Sequence, residues 1–173
     1  MPQWPVPSTY SIVHGGLPLY MELPAGAEPS AAQWILPGDV VEFTTHVTDC
    51  TVKAAAADTE YAIGIADISP QSATTPPRGG DRLTAYNGVI DATHPTADQV
   101  KIIRGPCTVM LRLAMGQVGV GCGEFVKPAA SGEVALYACG TDHDCKRIAQ
   151  ALETVANDTD NFQWILCALE RFG

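Results

Sequence analysis

Short runs of β-branched and aromatic residues recur along this chain about every ten residues, each closed by Gly, Asp, Asn, Pro or Thr, and this punctuation favours strands and tight turns over long helices. The runs include Val40-Val41-Glu42-Phe43-Thr44-Thr45-His46-Val47, Thr51-Val52-Lys53 and Tyr61-Ala62-Ile63-Gly64-Ile65-Ala66-Asp67-Ile68. Strand texture returns at 99–103, 107–114 and 117–120, and the chain ends on Phe162-Gln163-Trp164-Ile165-Leu166-Cys167-Ala168-Leu169. One segment, 144–156, places Ile148, Ala151, Leu152 and Val155 at helical spacing. Its core, 148–153, reads equally well as a strand. The expected fold class is all-β: a small β-barrel or sandwich.

Two stretches repeat one order of events, which points to a barrel built from two related halves. The first runs Gly38-Asp39-Val40-Val41-Glu42, then Thr51-Val52-Lys53-Ala54-Ala55, then Ala62-Ile63-Gly64-Ile65-Ala66-Asp67. The second runs Gly123-Glu124-Phe125-Val126-Lys127, then Glu133-Val134-Ala135-Leu136-Tyr137, then Ile148-Ala149-Gln150-Ala151-Leu152-Glu153. Each is a Gly-acid turn, a short strand, a second strand, a loop, and a strand of small and aliphatic residues. Glycine in the turn supplies a bend that other residues resist, and small residues allow close backbone approach.

Proline sets the expected boundaries. Six of the thirteen prolines (Pro2, Pro5, Pro7, Pro18, Pro24 and Pro29) fall within residues 1–35. Proline fixes φ and removes a backbone donor, so this stretch reads as an extended arm, and residues 36–173 as the barrel domain. The arm is nonetheless rich in apolar and aromatic side chains, unlike a disordered tail. Trp4, Val6, Tyr10, Leu19 and Tyr20 are its candidate interface residues. Residues 69–98 form a loop-rich insertion with Pro70, Pro76-Pro77 and Arg78-Gly79-Gly80-Asp81, and a strand is expected at 82–86 before an Asn87-Gly88 turn.

Charge narrows the function. Charged residues make up 17% of the chain, against about 25% in an average soluble domain. Such a surface suits a subunit that neighbours cover. The net charge of −9, with 10 basic and 19 acidic side chains, leaves no basic face for phosphates, so neither nucleic acid nor an anionic membrane is expected as a partner. No apolar run approaches the ~18 residues of a membrane span. Met1-Pro2-Gln3-Trp4-Pro5 lacks the basic start and apolar centre of a signal peptide, so a cytoplasm-like compartment is expected.

No reactive constellation emerges. The six cysteines (50, 107, 122, 139, 145 and 167) show no C-x-x-C spacing. Mostly apolar neighbours make buried reduced thiols the expected state. Asp142-His143-Asp144-Cys145 with Cys139 is the densest set of potential zinc ligands. A polar hairpin tip whose acids solvate a turn accounts for it better. The spacing of Gly116, Gly119 and Gly121 does not match a dinucleotide loop. No catalytic residue, cofactor or metal is assigned, and an enzyme is not expected.

The succession of residues resembles the phage capsid cement (head decoration) proteins. The matching pieces are Gly38-Asp39-Val40-Val41, Val52-Lys53-Ala54-Ala55, Ile63-Gly64-Ile65-Ala66-Asp67 and Val100-Lys101-Ile102-Ile103-Arg104-Gly105. They continue with Gly123-Glu124-Phe125-Val126-Lys127, Gly132-Glu133-Val134, Ile148-Ala149-Gln150-Ala151-Leu152-Glu153 and Ile165-Leu166-Cys167-Ala168-Leu169. The resemblance implies a virion structural protein on the outer capsid surface, made in the host cytoplasm. Its implied partners are the major capsid protein and neighbouring copies of itself, a trimer being one arrangement. The alternative is a β-barrel binding module of a tail or host-attachment structure that reads carbohydrate or a receptor.

Overall fold

The computed structural model describes residues 13–24, 34–35, 38–44, 50–67, 90–91, 99–116, 119–156 and 163–169. Trp4, Val6 and Tyr10, the Arg78-Gly79-Gly80-Asp81 segment and the strand expected at 82–86 lie outside them. Among the described residues there are thirteen strands, β1 to β13, and no α-helix. The strands are β1 Val13–Gly16, β2 Tyr20–Pro24, β3 Trp34–Ile35, β4 Val40–Phe43, β5 Val52–Ala54, β6 Ala62–Asp67 and β7 Ile90–Asp91. They continue with β8 Gln99–Ile103, β9 Cys107–Leu113, β10 Phe125–Pro128, β11 Val134–Leu136, β12 Ala149–Ala151 and β13 Gln163–Leu169.

Five strands close a barrel in the order β9-β13-β12-β10-β11, and β1 adds to the outer edge of β9. The closing contact is a parallel pair, Val134 with Leu113, extended by the Ala114 N–H donating to Val134 O at 2.9 Å. A second sheet runs β2-β8-β6-β4-β5, and β3 pairs with β7.

The repeat seen in the sequence is the plan of the fold. In the first unit β4 is flanked by β5 and β6, and in the second β10 is flanked by β11 and β12, antiparallel throughout. The anchoring hydrogen bonds recur. Gly38 N–H donates to Ala66 O and Gly123 N–H to Ala151 O, both at 2.8 Å. Ala66 N–H donates to Asp39 O and Ala151 N–H to Glu124 O, again at 2.8 Å. The equivalence reaches further than the sequence echo. β8 pairs with β6 as β13 pairs with β12, and β2 pairs with β8 as β9 pairs with β13. Each unit therefore has five strands in one topology, and the first strand of the first unit is Tyr20–Pro24.

Within residues 1–35, the described residues 13–24 run antiparallel to 99–109 as one ribbon. β1 pairs with β9, β2 pairs with β8, and Arg104 N–H donates to Leu19 O between them at 2.8 Å. The ribbon crosses from one sheet to the other beside the β8–β9 connection.

The second sheet is covered on both faces, which explains its unbroken apolar pairs. Val40, Ile65 and Ile103 pack with the barrel residues Val109, Leu111, Ile165 and Cys167. Val41, Ala66, Val100 and Ile102 form a second cluster with Ile35, Val52 and Ala54. Adjacent strand residues point to opposite faces, so one sheet serves two cores.

The segment 144–156 is not a helix. A 3-10 turn, Asp144–Lys146, leads into strand β12, and Val155 bridges to Val120. The apolar residues fit helical spacing, but Ala149 and Ala151 bury one face of a strand wedged between β10 and β13. Leu152, which a helix would have buried, is exposed. Tertiary pairing overrides the periodicity. Gln117–Val120, expected as a strand, contributes only the Val120 bridge among its described residues.

Candidate interaction surfaces

The peptide joining β1 to β2 and the first residue of β2 carry three exposed large apolar side chains, among them Leu17, the most exposed of that kind among the described residues. Leu17 is 88% exposed, Leu19 54% and Tyr20 44%. The backbone explains why they project outward. Leu19 exchanges main-chain hydrogen bonds with Arg104 and Gly105, and Tyr20 pairs with Ile103 as the first residue of β2. Lys101, on β8, sets its ammonium 3.9 Å from the Tyr20 ring centre and 3.6 Å from the buried Asp67 carboxylate. The ring is thereby held by a cation while part of it stays in solvent. Of the five interface residues expected from sequence, Leu19 and Tyr20 are brought together here. Leu17, the most exposed of the three, is not among those five, and nothing in its local sequence separates it from Leu19 on the other side of Pro18.

Two polar clusters fasten the first unit to the second. In one, Arg112 on β9 lies between two carboxylates: Asp39 Oδ1 is 3.1 Å from Nη1, and Glu133 Oε1 accepts from Nη2 at 2.7 Å. Asp39 is fully buried. Burial pushes the Glu133 carboxyl above its usual range, with the guanidinium working in the opposite direction. In the other, Lys127 Nζ lies 2.7 Å from Asp58 of the first unit and 2.8 Å from Asp142 of its own. Asp58 N–H also donates to Pro128 O at 3.1 Å. Hydrogen bonds from Lys127 and from the Ala138 N–H hold the Asp142 carboxyl below its usual range.

The same loop contains the sequence's densest set of metal-ligand types. Asp142 gives one oxygen to Lys127 and the other to Ala138 N–H at 2.8 Å. Asp144 accepts from the Tyr137 hydroxyl at 2.9 Å. Both carboxylates are thus spent on ordering a turn. Among the described residues no cluster of His, Cys, Asp and Glu is arranged to hold a metal ion.

The thiols differ from expectation. Cys107 and Cys167 are buried, but Cys50, Cys122 and Cys139 are exposed, and all five are free. Apolar neighbours in sequence do not decide burial where a residue sits in a turn, as Cys122 and Cys139 do. Burial drives the Cys167 pKa up to about 12.

An open cleft of about 360 Å³ lies beside β4 in the first unit. Glu42, Phe43 and Lys53 line it with Asp58, Glu60 and Tyr61 of the β5–β6 loop. Lys53 Nζ is 3.4 Å from Glu42, and Asp58 is paired with Lys127 at 2.7 Å and lies 3.9 Å from Lys146. Tyr61 is 59% exposed.

No family model and no curated protein matches this chain. Among solved structures it is similar to the N base of head fiber gp8.5 in bacteriophage phi29, at 9% identity and a TM-score of 0.44, over 90% of this chain and 99% of that one.

Proposed function

We propose that the chain is a virion structural protein that seats on a capsid as a cement or decoration subunit, without catalysis. Its partners on this reading are the major capsid protein and further copies of itself. The observation that carries the reading is the exposed Leu17, Leu19 and Tyr20 ridge, in which Leu19 is held by main-chain hydrogen bonds and Tyr20 by its pairing in β2. A rigid apolar ridge gains more by being covered than a mobile one, because little ordering entropy is lost on docking. Aromatic and aliphatic anchors in such positions contribute about 2 kcal/mol or more each at an interface. The low charge content of 17% and the resemblance to head decoration proteins support the same reading. Many copies, each with a modest interface, stiffen a shell through multivalency.

The test is gradient co-sedimentation of the purified chain with undecorated heads. The unaltered chain should track with heads at a fixed copy number. Leu17→Asp combined with Tyr20→Ser should remain folded by circular dichroism and lose at least tenfold in head affinity. Undiminished binding by this variant, or free protein in every fraction, would overturn the reading.

A further inference from the structure

The two units share one topology, and in the second unit the counterpart of the exposed ridge is covered. Ala66 and Ala151 make the same pair of anchoring hydrogen bonds, which aligns Ile65 with Gln150. Ile65 pairs with Ile103 and Gln150 with Ala168, and these pair in turn with Tyr20 and Thr108. Leu19, Tyr20, Met21 and Glu22 are therefore the counterparts of Cys107, Thr108, Val109 and Met110. Along this stretch the edge of β9 is occupied. β1 runs antiparallel to Cys107–Val109, and the Gly38 turn sits against the Met110 carbonyl. Cys107 is accordingly 7% exposed, whereas Leu19 is 54% exposed.

Among the described residues β2 ends its sheet. Leu19 exchanges hydrogen bonds with Arg104 and Gly105, and antiparallel pairing alternates from there. The main-chain groups of Met21 and Leu23 face β8, and those of Glu22 point the other way. The Glu22 side chain is exposed. An edge strand with outward main-chain groups is a template for a further strand.

We infer that the capsid subunit covers the ridge by adding an extended segment antiparallel to β2, hydrogen-bonded to the main chain of Glu22, as β1 lies on β9. The inference rests on the reading of the chain as a capsid-bound subunit and supplies its mode of docking. β1 shows the chemistry that such an edge accepts, small and aliphatic. Val13 packs on the core, and Gly15 sits opposite Thr108, where an added Cβ would lie 3.9 Å from the hydroxyl. Tyr20 is bulkier than Thr108, so the added segment carries a small residue opposite the ring and an aliphatic one beside it. Main-chain pairing supplies affinity, and these side chains supply selectivity.

The experiment is deuterium exchange of the Glu22 amide in the unaltered chain, free and bound to undecorated heads, with Glu22→Pro and Glu22→Ala alongside. The amide should exchange rapidly in the free chain and at least about tenfold more slowly in the bound one. Glu22→Pro deletes that donor at an edge position where proline is tolerated. It should lower head affinity at least about tenfold, because the partner's carbonyl then goes unsatisfied. Glu22→Ala keeps the donor and should stay within about twofold of the unaltered chain. Circular dichroism checks that Glu22→Pro is folded; if it is not, the exchange measurement on the unaltered chain decides alone. An unprotected Glu22 amide in the bound chain, or equal head binding by the two variants, would overturn the inference and leave the capsid-bound reading standing. Failure of the unaltered chain to bind heads would remove that reading and the inference with it. Protection that grows with chain concentration in the absence of heads would give the edge to a second copy, and would equally overturn the capsid assignment.

Discussion

Arg112 joins parts of the chain that are far apart in sequence, with Asp39 on one side and Glu133 on the other. Its removal would strand the fully buried Asp39 carboxylate, and breaking a buried pair from one side costs about 3–5 kcal/mol. Arg112→Ala should therefore lower the urea midpoint by that equivalent, and Arg112→Lys should lie between, since an ammonium lacks the planar fork that reaches both acids. The same Arg112→Ala change should raise the Glu133 pKa further, because burial already raises it and the guanidinium is what opposes the rise. A carbon-detected NMR titration of Glu133 reads this directly. Thiol chemistry offers a second check at this scale. Cys50, Cys122 and Cys139 should label in the native state, while Cys107 and Cys167 should label only on unfolding. Peptide mapping after a brief native pulse distinguishes the two sets.

The turn that opens each unit isolates what packing adds to backbone conformation. Gly38 and Gly123 have nearly equal positive φ, +89° and +90°, so substitution by alanine incurs similar backbone strain at both, about 1 kcal/mol. They differ in surroundings: the Gly38 Cβ would press on Trp164 and on Met110 O, and the Gly123 Cβ would face open space. Gly38→Ala should consequently destabilise by about 1–3 kcal/mol more than Gly123→Ala, measured as the difference in unfolding free energy. Equal losses would mean that the Gly38 turn can move away from Trp164, and that the units are less firmly docked than the contact implies. The turns themselves were legible in the sequence as Gly-acid pairs. Their unequal environments were not, because Trp164 approaches Gly38 from a strand at the far end of the chain.

Across the whole molecule, Lys127 is the point where pH bears on the docking of the two units. Asp142 is held below its ordinary 3.8, so its contribution is present above that value and is lost as pH falls through the lowered one. Lys127 is held above its ordinary 10.5, through Asp142 first and then Asp58, so its contribution is present below that value and is lost as pH rises through the raised one. Glu133 runs oppositely to Asp142. Its raised pKa makes its contribution fall as pH climbs from 4.5 through the folded value. Between these limits Lys127 should be insensitive to pH. Lys127→Met should reduce the alkaline arm of the thermal stability profile, to which the raised Cys167 also contributes, and Asp142→Asn should reduce the acid arm, each read by calorimetry across a pH series.

By itself the sequence determined the strand texture, the Gly-acid turns and the order of the repeated hairpins. These depend on residues within a few positions of one another, where side-chain alternation and turn chemistry act locally. It also marked Leu19 and Tyr20 as outward-facing candidates, through a proline-rich stretch that still carries large apolar groups. Only the tertiary structure decided that 144–156 yields a strand, that Tyr20–Pro24 is the counterpart of β9, and that one unit closes into a barrel through Leu113 and Val134. Those outcomes rest on pairing between strands distant in the chain, and local propensity carries no information about which edge a strand will meet. The buried Asp39, Arg112 and Glu133 link has the same origin: each charge reads as a solvated residue until the fold removes the water around it.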